Sequence, residues 1–200
     1  LVTLNATGHP ILGVIAAVIV CTIVGIVIEK VAYKPLRGAS PLAVLITAIG
    51  VSYLLQSIAQ LIFKSKSQAV TITETHMVNI GSAELNLNTL LTLVVGAVIM
   101  VALTLFVKYT RTGRAMQAVS EDRGAAQLMG VNVNKIIMIT FAIGSALAAC
   151  AGVFYLMQIP SVSPTLGSMP GIKAFAAAVI GGIGSIPGAM LGGVLLGVVE

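Results

Sequence analysis

Long uncharged apolar runs alternate with short polar connectors along almost the whole chain. Residues 11–28 hold eighteen positions without a charge, which as a helix rise about 27 Å, close to the roughly 30 Å of a hydrocarbon core. Similar runs recur at 42–63, 89–107 and 136–157. A fifth, 172–199, is interrupted by Gly181-Gly-Ile-Gly-Ser-Ile-Pro-Gly188. Four glycines and a proline in eight residues argue against a continuous helix there. The pattern predicts an all-α, polytopic transmembrane helical bundle whose last element is broken or re-entrant over 181–188. Irregular backbone at membrane depth is tolerated only where it is buried in protein or lines a cavity.

Within the runs, small residues recur every four positions at Gly13, Ala17, Cys21 and Gly25, and again at Gly144, Ala148 and Gly152. Such stripes let helices approach closely where no hydrophobic effect drives association. Ser52, Gln56 and Gln60 share one face of the second run. That face is expected to look inward, toward an interhelical hydrogen bond or a water-filled path. A chain entering at Ile172 as a half-helix reaches only about 13 Å by Ile180, near mid-membrane. Pro187 and Gly188 then start a second half-helix whose free N–H groups face the interior, a setting that favours a carboxylate. The competing reading is tight packing alone, continued by Ala189, Gly193 and Gly197.

Among the connectors, residues 29–41 form a short basic loop with two prolines, and 64–88 form a small hairpin or an irregular loop, with weak alternation through Val70, Ile72 and Glu74 and a lone His76. Residues 158–171, with Pro160, Pro164 and Pro170, read as a loop with room for one short helical turn. The longest charged stretch runs from Gly113 to Gly130. Ser120 is placed to cap a helix of about two turns, Glu121 and Asp122 to sit in its first turn, and Gly130 to end it with positive φ. Ala115, Val119, Ala126 and Met129 recur near the helical period against polar Arg114, Gln117, Glu121, Arg123 and Gln127, so the segment is amphipathic and lies at a membrane surface. It serves either to fix topology or to dock a partner.

Composition agrees: 58% of residues are hydrophobic and 8% charged, and mean hydropathy is +1.07, against about 25% charged in soluble domains. The net charge of +5 does not point to nucleic acid, since the cations are not interleaved with aromatics and there is no Trp. They distribute by loop instead. Lys30, Lys34 and Arg37 lie in 29–41, and Lys108, Arg111, Arg114, Arg123 and Lys135 in 108–135; only Lys64 and Lys66 lie in 64–88, and none in 158–171. The positive-inside rule puts the first two connectors in the cytoplasm and the others outside. Cys21 and Cys150 sit in apolar runs as small hydrophobes, so no disulfide, metal or other cofactor is expected. Leu1 to Pro10 carries no Lys, Arg or initiator Met, and Gly192 to Glu200 stops in mid-pattern. The chain therefore reads as one membrane domain, 1–200, cut from a longer protein and lacking N- and C-terminal spans.

No span holds an ionisable residue at its centre; Glu29 and Lys173 stand at edges, which disfavours a proton- or sodium-coupled secondary transporter. Ser185 has no histidine or acid nearby in an apolar segment to activate it, so no catalytic residue is assigned. No phosphate loop of the form G-x-x-x-x-G-K-[ST] occurs, so any ATP is hydrolysed by another chain.

Several motifs in fixed order carry a family likeness: Glu29-Lys-Val-Ala-Tyr-Lys-Pro-Leu-Arg37, Ile49-Gly-Val-Ser52, Tyr109-Thr-Arg-Thr-Gly-Arg-Ala-Met116, Glu121-Asp122 with Met129-Gly-Val-Asn132, and Lys173-Ala-Phe175 leading into Gly181 to Ala189. From about residue 10 onward the chain resembles the branched-chain amino acid permeases, the LivH-type membrane subunits of ABC importers. Relatives for urea or short amides share much of this pattern. The resemblance implies ATPase subunits docked on a coupling loop that matches Arg114, Ser120, Glu121, Asp122, Ala125, Ala126 and Gly130. It also implies a second homologous permease subunit, an extracytoplasmic binding protein delivering leucine, isoleucine or valine, and an inner-membrane location among lipid. Ser52, Gln56, Gly181, Gly182, Gly184, Ser185, Pro187 and Gly188 are the candidates for the translocation path.

Overall fold

The computed structural model describes residues 10–63, 68–69, 77–80, 83–159, 161–182 and 184–199. The chain divides into two compact units, Leu1–Thr73 with Ala126–Pro164, and Glu74–Ala125 with Thr165–Glu200.

In the first unit, α1 (Pro10–Ile28) opens on a proline, whose fixed φ suits the first helical position and whose missing N–H would have no partner there. It passes into a π-helical turn, Glu29–Tyr33, closed by the Lys34 N–H donating to the Glu29 carbonyl at 2.8 Å. The expected loop at 29–41 is thus helical in its first five residues. Pro41 likewise opens α2 (Pro41–Phe63). Among the described elements α2 touches the π-helical turn, and its apolar window carries no buried residue. Helix α6 (Val133–Gln158) packs along α1. Gly25 meets Ser145 so closely that a Cβ at Gly25 would overlap the serine side chain. Further along, the Tyr33 and Phe141 rings lie 4.9 Å apart. A two-residue pairing of β1 (Gln68–Ala69) with β4 (Ser161–Val162) completes this unit.

The small-residue stripes are used unevenly. On α1, Gly13 and Gly25 are buried while Cys21 is exposed. On α6 the expected stripe is displaced: Gly144, Ala148 and Gly152 are exposed, and a Cβ at either glycine would meet nothing. The packed face is Phe141, Ser145 and Ala149, one position further on, with Ala149 buried. Equal spacing leaves the helix rotation undetermined, and the Tyr33–Phe141 and Gly25–Ser145 contacts set it.

In the second unit, β2 (Met77–Ile80) and β3 (Ala83–Asn86) form an antiparallel hairpin, pairing Met77 with Asn86 and Ile80 with Ala83. The hairpin alternative for 64–88 therefore holds over these residues. Val70, Ile72, Glu74 and His76 lie outside the described residues. Helix α3 (Leu87–Tyr109) follows directly, then α4 (Arg111–Glu121), with α5 (Arg123–Leu128) spanning the division between units. The chain re-enters this unit as α7 (Ser168–Ile180) and α8 (Ile186–Val199), which pack on each other, and α8 also packs on α3.

Among the described residues four helices have the length and composition to cross a membrane, within 12–33, 42–63, 89–109 and 133–158. The chain is a helical, multi-pass membrane protein. With 13 and 14 residues, α7 and α8 rise only about 20 Å each, short of the roughly 30 Å hydrocarbon layer.

Candidate functional site

The charged connector is built from hinges rather than from one capped helix. Thr110 is extended, with φ −87° and ψ 154°. Its hydroxyl donates to the Phe106 carbonyl at 2.7 Å, at the end of α3, and accepts from the Gly113 N–H at 2.9 Å, at the start of α4. The turn is so tight that a Cβ on Gly113 would overlap the Val107 and Phe106 backbone. The Tyr109-Thr-Arg-Thr-Gly motif thus encodes one sharp corner, bonded through Thr110 to the helices on both sides.

A second hinge follows at Asp122, extended at φ −146° and ψ 113°. Its Oδ1 accepts from the N–H groups of Gly124 at 2.7 Å and Ala125 at 3.1 Å, capping α5. The cap expected of Ser120 is therefore made by Asp122. Ser120 lies inside α4, where its hydroxyl donates to the Gln117 carbonyl at 2.7 Å. A serine in a helical turn bonds back to its own carbonyls, which removes it from capping duty. At the far end, Gly130 has φ +83°. Its N–H donates to the Gln127 carbonyl and that of Val131 to the Ala126 carbonyl, both at 3.0 Å, the paired bonds of a Schellman motif. Asn132 then caps α6 by accepting from the Lys135 N–H at 3.1 Å.

Because the helix breaks at Asp122, its period restarts there. Gly113, Val119 and Ala126 are buried, but Met129, assigned by periodicity to the same stripe, is 85% exposed, and Leu128 is 91% exposed. Arg114, Ser120, Glu121, Asp122, Ala125 and Gly130 are all exposed. Leu128 and Met129 thus stand exposed where α5 ends. The adjacent Leu128-Met129 at the end of a short amphipathic helix was the sequence signal for this tip, hidden by assigning Met129 to the inner face.

The glycine-rich segment is a reversal. Gly181 and Gly188 come so close that a Cβ on either would overlap the other's backbone, and a Cβ on Gly192 would overlap the Ala177 carbonyl. α7 and α8 therefore fold back as an antiparallel hairpin, the re-entrant form rather than two halves of one line. Gly182 and Gly184, at φ +89° and +100°, turn the chain and face open space. Ser185 caps α8 by accepting from the Gly188 N–H at 3.2 Å, and Pro187 occupies the first turn of that helix. On α2, the Gln56 Nε2 donates to Ser52 Oγ at 3.2 Å on a largely exposed face. Gln60 is exposed too. Among the described residues no group of three or more His, Cys, Asp or Glu side chains is arranged to hold a metal.

A polar cluster that sequence reading treated as loop lies in the first unit. Glu29 is 2% exposed, and the Arg37 guanidinium donates through one nitrogen to the Glu29 carboxylate and through the other to the Asn134 amide oxygen.

All 200 residues match the family described as "Branched-chain amino acid transport system / permease component". The chain belongs to this permease family. It is 47% identical over 190 residues to the high-affinity branched-chain amino acid transport system permease protein BraD of Pseudomonas aeruginosa, covering 92% of this chain and 62% of the relative. It is 41% identical over 193 residues to the corresponding protein LivH of Escherichia coli K12, covering 94% and 63%. The ribose import permease protein RbsC of Escherichia coli K12 is 36% identical over 95 residues, 44% of this chain and 30% of that one. The chain thus spans less than two thirds of the length of its branched-chain relatives. No solved structure matches it.

Proposed function

We propose that this chain is the membrane-spanning core of a permease subunit of an ABC importer. It carries leucine, isoleucine or valine across the inner membrane, driven by ATP hydrolysed on partner subunits. A second homologous permease subunit and an extracytoplasmic binding protein complete the assembly, and residues 29–41 and 108–135 face the cytoplasm. The carrying observation is the connector from Thr110 to Asn132, hinged at single capped residues and tipped by exposed Leu128 and Met129. Each of its hinges is held by a local side-chain cap. The exposed apolar pair suits an apolar pocket on an ATPase, and the exposed Glu121 and Asp122, earlier in the same connector, suit cations there. The relatives matched over nearly the whole chain are branched-chain amino acid permeases, which supports these substrates over sugars, urea or short amides.

The test uses the complete complex in proteoliposomes. Leucine, isoleucine and valine with the binding protein are expected to stimulate ATP hydrolysis and enter the vesicles, whereas urea, acetamide and ribose do neither. Leu128→Ser with Met129→Ser, or Glu121→Lys with Asp122→Lys, should release the ATPase while the permease still inserts. Normal uptake with an intact complex in both double variants would end the docking assignment.

A further inference from the structure

Glu29 occupies an unfavourable place for a carboxylate: it opens the π-helical turn that continues α1, and it is buried. Of the three cations in the following loop, Lys30 and Lys34 are exposed, and Arg37 reaches the carboxylate. One cation suffices to neutralise Glu29, yet Arg37 spends its second nitrogen on Asn134, a neutral and exposed amide 97 residues away. A planar guanidinium serves two acceptors at once, which an ammonium on a flexible stem does poorly. Asn134 stands in the first turn of α6, two residues after the Asn132 cap and four after the Schellman glycine Gly130.

We propose that Arg37 is a positioning residue for coupling, tying the α6 entrance, where the connector ends, to the buried Glu29 at the end of α1. A displacement delivered at Gly130 to Asn132 then moves α1 and α6 as one body. The Gly25–Ser145 and Tyr33–Phe141 contacts complete the grip along the same pair of helices.

This rests on the permease reading, so the wild-type complex in proteoliposomes is the first arm. If it fails to take up leucine with ATP, both that reading and this one fall. In the second arm, Asn134→Ala and Arg37→Lys are scored by leucine taken up per ATP hydrolysed. Asn134 is exposed, so its replacement leaves folding intact. Both variants should assemble and hydrolyse ATP on addition of loaded binding protein, with uptake per ATP lower by at least about fivefold, the low end of coupling between sites. The double variant should be no worse than either single. An unchanged ratio in both singles, whatever the yield of complex, would reduce the cluster to a structural ion pair and overturn the proposal.

Discussion

Glu29 and Arg37 illustrate what burial does to a charge. Leaving one buried ion without its partner costs about 3 kcal/mol or more, while replacing both by apolar groups of similar volume is often neutral. Glu29→Gln or Arg37→Met alone should therefore lower the thermal midpoint of the purified protein, followed by helical circular dichroism. Glu29→Leu with Arg37→Met should recover most of the loss. Recovery of stability without recovery of uptake per ATP would separate the packing role from the positioning role. The glycines divide in the same way. Gly113→Ala and Gly192→Ala force a Cβ into backbone and should be severe. Gly182→Ala and Gly184→Ala meet open space and carry only the strain of positive φ, roughly 1 kcal/mol each.

At the scale of elements, the connector and the α7–α8 hairpin hold the residues proposed for docking and for the path. Asp122 accepts from two N–H groups of α5, so Asp122→Ala should cost that helix about 1 kcal/mol and weaken ATPase attachment. Ser120→Ala, which removes only a bond back into α4, should leave attachment unchanged. Equal effects of the two in a pull-down of the ATPase would contradict the hinge assignment. In the hairpin, Gly181→Leu should block assembly, because that position touches backbone. Gly182→Leu and Gly184→Leu should assemble and lose uptake if the tip borders the path. Near-normal uptake in both would remove the tip from it.

For the molecule as a whole, the decisive measurement is orientation. Its long helices keep many large apolar side chains exposed, among them Leu61 at 84% and Ile46 at 66%, a surface that only lipid or other chains can cover. With Cys21→Ala and Cys150→Ala as background, a single cysteine at position 117 is expected to resist an impermeant thiol reagent in intact cells. One at position 163 is expected to react. Labelling of position 117 from outside would reverse the assignment.

The helices and their ends were legible in the residues themselves, because hydropathy, proline at a helix start and glycine at a helix end act over a turn or two. α1, α2, α3 and α6 begin and end close to the apolar runs, and Gly130 ends α5 with the positive φ that glycine permits. Local signals also marked the break at 181–188, but not that the chain turns back there. That choice rests on Gly181 meeting Gly188 and Gly192 meeting Ala177. Tertiary packing alone selected Phe141, Ser145 and Ala149 over Gly144, Ala148 and Gly152, since both sets repeat every four residues and only a partner helix tells them apart. It alone placed Glu29 out of water, because a carboxylate reads as exposed until a guanidinium, and through it an amide 97 residues further along the chain from that arginine, is brought within reach.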